Sequence, residues 1–136
     1  MPKLNGLTLL QKVRSHPKRH NIPFLIATSP ISEEQEKIVL AAENMVSSYI
    51  IKPFRVQTFR EKVSSIIERE LKGIKRHAVV VDDDDDAREM VVEYLKNISF
   101  EDVRPFKEAK QALAYLEGAY GRVGLIISDW EMPEMT

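Results

Sequence analysis

Apolar residues fall along this chain in two alternating patterns: compact runs of a few residues, and stripes that recur every three or four positions. A compact run bounded by turn residues fits a strand buried on both faces, whereas a stripe of that period fits an amphipathic helix. From Gly6 to about His16, Leu7, Leu10 and Val13 share a face and predict a short helix. Pro23-Phe-Leu-Ile-Ala27 reads as a buried strand. Ser32, with Gln35 three residues on, forms a capping box that opens a helix running to about Asn44. Tyr49-Ile-Ile51 reads as a second buried strand, ended by Lys52-Pro53. A long helix follows on the stripe Val56, Phe59, Val63, Ile66, Ile67 and Leu71, and Gly73 stops it.

The second half repeats the alternation. Ala78-Val-Val-Val81 is a strand, and Ala87, Met90, Val91, Tyr94 and Leu95 mark a helix. Asp102 to Phe106 is a weaker strand whose Pro105 suits only a sheet edge. Ala109, Ala112, Leu113 and Leu116 mark a further helix closed by Gly118, and Leu125-Ile-Ile-Ser128 is the last strand, ending at Asp129. Strands alternating with helices throughout predict an α/β fold with a doubly wound, five-stranded parallel sheet. Ligands of such sheets bind outside the carboxyl ends of the strands. Thr28, Lys52, Asp82, Asp83 and Asp129 all fall there.

At 136 residues the chain is the size of one domain. The absence of cysteine excludes a disulfide scaffold, a thiolate zinc site and a thiol nucleophile. No apolar run approaches the roughly 20 residues needed to span a bilayer, and the first residues lack a signal-peptide pattern, so a cytoplasmic protein without membrane contact is expected. A net charge of −1 gives no general affinity for nucleic acid. The charge is nevertheless uneven. Residues 1–73 carry 12 basic against 7 acidic side chains and no aspartate, a balance of +5. The remainder carries 8 basic against 14 acidic, a balance of −6. Two domains of that size would each be marginal; two complementary halves of one domain satisfy both size and charge.

Three carboxylates gathered from two strand ends repel, each pair at about 4 Å costing on the order of 4 kcal/mol at an effective dielectric near 20. A hard cation such as Mg²⁺ relieves that repulsion through oxygen ligands. With Lys52 and the Thr28 hydroxyl nearby, the set suits phosphoryl transfer onto an aspartate. Asp84, Asp85 and Asp86 read more simply, as acids at a helix N-terminus favoured by the macrodipole.

The string VVVDDDDDAREMVVEYL resembles the first strand, acidic pair and first helix of CheY-like response-regulator receiver domains. LIISDWEMPEMT resembles their third strand and phosphoacceptor loop, and PFLIATS and SSYIIKPF resemble their fourth and fifth strands. The resemblance implies a flavodoxin-like fold with strand order 2-1-3-4-5. It implies Asp129 as phosphoacceptor, and Mg²⁺ held by Asp82, Asp83, Asp129 and the backbone carbonyl of Glu131. Lys52 would contact the phosphate, Thr28 would be the switch hydroxyl and Tyr49 the aromatic that follows the switch. A sensor histidine kinase or phosphotransfer protein would be the donor, and the output domain would lie elsewhere.

The motifs stand in circularly permuted order. Residues 1–73 resemble the C-terminal half of a receiver, 74–77 a linker, and 78–136 the N-terminal half, together one receiver-like domain. The chain opens with MPKLNG and closes with MPEMT, two unlike copies of one loop. Unlike copies favour a piece spanning two tandem receivers over a naturally permuted gene. Glu131 and Pro30 fill positions that modulate dephosphorylation in the family, and ENMVSS lacks the glycine often found before the position of Tyr49. Two other functions stay open: a receiver-like interaction module that is never phosphorylated, and a haloacid-dehalogenase-like phosphatase using Asp82 and Asp84, though Asp86 departs from that motif and the final acidic pair is missing. The halves can close within one chain or be exchanged between two.

Overall fold

A computed structural model describes residues 6–15, 22–28, 48–52, 54–70, 77–98, 100–119 and 121–129. Among the described residues it contains strands β1 (Phe24–Thr28), β2 (Ser48–Ile51), β3 (His77–Val81), β4 (Asp102–Phe106) and β5 (Leu125–Asp129). Its helices are α1 (Gly6–Arg14), α2 (Val56–Glu70), α3 (Asp85–Asn97) and α4 (Ala109–Ala119). The predicted helix from Ser32 to Asn44, the ends assigned to Leu71 and Gly73, and most of the 74–77 linker lie outside the described residues.

The strands form one parallel sheet in the order β2-β1-β5-β3-β4. Numbered as though the second half came first, that order is the 2-1-3-4-5 of flavodoxin-like and CheY-like folds. The sheet is buried from both sides by two apolar clusters, as parallel sheets require. One joins Leu9, Leu10 and Val13 of α1 to Ala109, Ala112 and Leu116 of α4 across Ile26, Val79 and Ile126. The other joins Phe59, Val63 and Ile66 of α2 to Val91 and Leu95 of α3 across Leu25, Val80 and Ile127. Successive residues of a strand point to opposite faces, which is why adjacent positions 25–26 and 126–127 serve different clusters. The apolar runs at β3 and β5 are buried at every position.

The sheet edges differ from the interior in ways the sequence pattern only half predicts. β2 is an edge strand, not the fully buried strand expected from its apolar run. Ile50 is buried in the cluster with Phe59 and Val63, but Tyr49 is 46% and Ile51 47% exposed, because successive side chains of a strand face opposite sides of the sheet. Val56, expected in the helix core stripe, is also exposed, at the first position of α2. Gly118 does not close α4; the helix continues to the buried Ala119. β4 lies at the other edge, as its proline predicted. The Asp82 N–H donates to the Phe106 carbonyl at 3.1 Å, so Phe106 faces β3. Pro105, one residue back, therefore turns its missing N–H outward, where it removes no ladder bond. At the amino end of the sheet, His77 bonds Asp102 through Nδ1 (2.9 Å) and the Tyr115 hydroxyl through Nε2 (2.8 Å), tying β3, β4 and α4 together.

The one-sided burial of β2 sets a measurable contrast. Ile50→Ala should cost about 2–5 kcal/mol by urea denaturation, whereas Ile51→Thr should stay within about 0.5 kcal/mol. Equal costs would mean that β2 is covered on both faces.

Candidate functional site

Parallel strands present all their carboxyl ends on one side of the sheet, and the register places the candidate residues there. Ala27 of β1 pairs with Asp129 of β5, and Val81 of β3 pairs with Ser128. Asp82 and Asp83 therefore leave β3 at the level of Asp129. Lys52 follows the last residue of β2, and its side chain reaches across to both acids. Its ammonium donates to Asp82 Oδ2 at 2.6 Å and to Asp129 Oδ2 at 3.3 Å. Asp82 and Asp129 are buried, at 2% and 7% exposure. One carboxylate oxygen from each of Asp82, Asp83 and Asp129 lies within 4.8 Å of the other two.

Burial sets the electrostatics. It pushes the Asp129 carboxyl up to about 6; Lys52 opposes the rise, while Asp82 and Asp83 add to it. Burial alone would lower the Lys52 ammonium, but its hydrogen bond to Asp82 and the charges of Asp129 and Asp82 outweigh that, and it is held above the ordinary lysine value. The lysine thus stays charged, and Asp129 is the acid on which desolvation falls. With all groups ionised, three carboxylates face one ammonium and two negative charges remain uncompensated. A divalent cation matches that residue of charge, and an all-oxygen donor set suits Mg²⁺.

The rest of the aspartate run has structural work. Asp84 is the N-cap of α3, and its carboxylate accepts from the Asp86 N–H at 3.1 Å. Asp85 pairs with Arg88 at 2.6 Å. The Asp84 N–H donates in turn to Asp82 Oδ1 at 3.0 Å, fixing that carboxylate beneath Lys52. Sequence reasoning missed Arg88, whose guanidinium donates to the Asp82 carbonyl at 2.9 Å and pins the turn into α3. Its signal was available: an arginine three residues after an acid in the first helical turn pairs with it. It also missed Ser128, a buried hydroxyl that donates to the Asp129 carbonyl at 2.9 Å.

The remaining candidates are described only in part. Thr28 ends β1 and pairs with Ile51, which puts its backbone at the same sheet edge; its side chain lies outside the described residues. Glu131 and Pro30 lie outside them as well. Tyr49 is exposed on β2, with the Lys62 ammonium 5.3 Å from its ring centre, and is not part of the acidic group.

A carboxyl raised by burial makes a signed prediction. The folded state disfavours ionised Asp129, so its contribution to stability is most favourable below the unfolded value near 4. It declines as pH rises through about 6. In chelator, Asp129→Asn should therefore be more stable than the parent at pH 8 by on the order of 2–3 kcal/mol. The gain should vanish near pH 4, which urea melts at the two pH values will show. A variant less stable than the parent at pH 8 would contradict the burial penalty.

No family model and no solved structure matches the chain. Curated proteins do. The chain is 36% identical over 69 residues to the chemotaxis protein CheY of Pseudomonas aeruginosa, covering 51% of this chain and 54% of that protein. It is 38% identical over 69 residues to the chemotaxis protein CheY-3 of two Vibrio cholerae strains, covering 51% of this chain and 52% of theirs. The chain thus spans about half the length of the curated relatives it matches. Together with a parallel sheet in the CheY-like order, that similarity supports a CheY-like receiver domain.

Proposed function

We propose that this chain is a phosphoacceptor module of two-component signal transduction, with Asp129 taking the phosphoryl group. The observation that carries the proposal is a buried carboxylate at a strand's carboxyl end, flanked by two more carboxylates and held by one lysine. Asp82, Asp83 and Asp129 would hold Mg²⁺ with the backbone carbonyl of Glu131. When bound, the cation would neutralise charge on the transferring phosphoryl group. The donor is a phosphohistidine of a sensor histidine kinase or a phosphotransfer protein. An Asp129 oxygen attacks phosphorus, the P–N bond breaks with its electron pair returning to the imidazole, and an acyl phosphate remains. Lys52 supplies a fixed positive charge beside the incoming oxygens, and the Thr28 hydroxyl donates to one of them. Tyr49, exposed on β2, carries the change to a partner surface. The module transfers a signal rather than turning over a substrate.

A match limited to half of each protein is what two halves in permuted order would give, with residues 1–73 as the C-terminal half of a receiver and 78–136 as the N-terminal half. We place the protein in the cytoplasm, without direct nucleic-acid contact; no helix among the described residues is long and apolar enough to cross a membrane. A phosphatase acting through Asp82 and Asp84 is disfavoured, because the Asp84 carboxylate is spent capping α3. An interaction module that is never phosphorylated is the reading to be separated by experiment.

Incubation with acetyl phosphate and Mg²⁺ should form an acid-stable, base-labile acyl phosphate on the parent chain. Asp129→Asn should abolish it, and Asp82→Asn should only weaken it. The reverse ranking would support the phosphatase, and no adduct on the parent would support the interaction module. Millimolar Mg²⁺ should also raise the melting temperature, by the equivalent of about 2.7 kcal/mol at a hundredfold excess over the dissociation constant. An unchanged melt would count against a cation site.

A further inference from the structure

We propose that a second copy of this chain can replace one half of the fold, so that Lys52 of one chain completes the acidic group of another. The two halves lie side by side instead of interleaving. Residues 6–70 supply β2 and β1 at one end of the sheet, and residues 77–129 supply β5, β3 and β4 at the other. Within the sheet they meet along a single ladder, where Phe24, Leu25, Ile26 and Ala27 pair with Ile126, Ile127, Ser128 and Asp129. The same seam runs through the layers above and below. On one face α1 packs against α4; on the other, Phe54 and Phe59 meet Tyr94 with ring centres 6.3 and 5.5 Å apart. One continuous surface therefore divides the domain, and every described contact across it joins one half to the other.

Neither half is complete alone. Each apolar cluster draws side chains from both sides of the seam. The acidic group lies wholly in the second half, and the lysine that bonds it comes from the first. The halves also carry opposite charge, +5 and −6, which favours unlike over like pairing. A closed chain and an exchanged pair of chains thus share the same ladder, clusters and lysine bonds. They differ only in the connection between the halves, so mass action decides between them. A short linker gives an effective concentration in the millimolar range. The closed monomer should outweigh exchange by about a thousandfold at micromolar concentration and lose that advantage near millimolar.

The exchange does not depend on phosphorylation and can be tested without it. The chain has no cysteine, and Ile26 and Ser128 are Cα partners across the seam. Neighbouring strands lie about 4.8 Å apart, within reach of a disulfide. Chains carrying Ile26→Cys and chains carrying Ser128→Cys should be refolded together from urea at millimolar concentration, then oxidised. The expected product is a covalent dimer of about 31 kDa, two 15.6 kDa chains with one of each kind. It should form from neither variant alone, and its yield should fall about a thousandfold on refolding at micromolar concentration. Folded variants that give no mixed dimer at millimolar concentration would overturn the proposal.

Should a cysteine variant fail to fold, a second pair decides. Lys52→Ala and Asp129→Asn chains, each defective alone, should regain acyl-phosphate formation when refolded together, because one of the two exchanged sites is then intact. This readout rests on the receiver function, and the parent chain keeps the two failures apart. A phosphorylated parent with no rescue by the mixture refutes exchange. An unphosphorylated parent refutes the function, and light scattering of the parent refolded at both concentrations then decides exchange: a concentration-dependent 31 kDa species supports it, and a monomer throughout refutes it.

Discussion

The Lys52 ammonium between Asp82 and Asp129 is the contact on which the carboxyl end of the sheet depends. Two buried carboxylates and a half-buried third cannot share a strand edge in water-poor surroundings without a counter-charge. The lysine supplies one from the end of β2, so the group reaches across β1 and β5 to β3. It also forces an order on the rest. Asp82 must be oriented from below, and the Asp84 N–H does this. The turn into α3 must hold its shape, and Arg88 fixes it through the Asp82 carbonyl.

That arrangement carries a standing cost. Asp129 is ionised at neutral pH against its own burial and against Asp82 and Asp83, with only Lys52 opposing them. Such an acid is poised: any event that adds positive charge beside it lowers the energy of the folded state. Stability and chemistry are coupled at one atom, and the strand end that is least comfortable at rest has the most to gain from a change.

Most of this was legible from residue order. Runs such as Ala78 to Val81 and Leu125 to Ser128 fixed strands buried on both faces, and Pro105 identified an edge. The aspartate run divided between strand-end acids and acids at a helix N-terminus, because the apolar run ends at Val81 and the helical stripe starts at Ala87. What the pattern could not give is lateral position. Tyr49 to Ile51 is as apolar as an interior strand, and only the sheet order leaves it with one neighbour. Val56 continues the helical stripe in register but is exposed at the first position of α2. Ser128 acts through a backbone carbonyl, which any residue owns, so no side-chain pattern announces it; for Arg88 the pairing with Asp85 was readable from spacing, but its bond to the Asp82 carbonyl was not.

The outward turn of Pro105 has a consequence for the molecule in a crowded solution. Along β4 the residues facing away from β3 are Val103 and Pro105, and the proline has no hydrogen to offer a passing strand. An open sheet margin is a template for aggregation; here one of the two outward donor sites on that margin, Pro105, is blank. Charged Asp102 and Arg104, bonded to each other at 2.8 Å, flank Val103, the other outward position. The sheet can thus expose this border without inviting fibre growth along it.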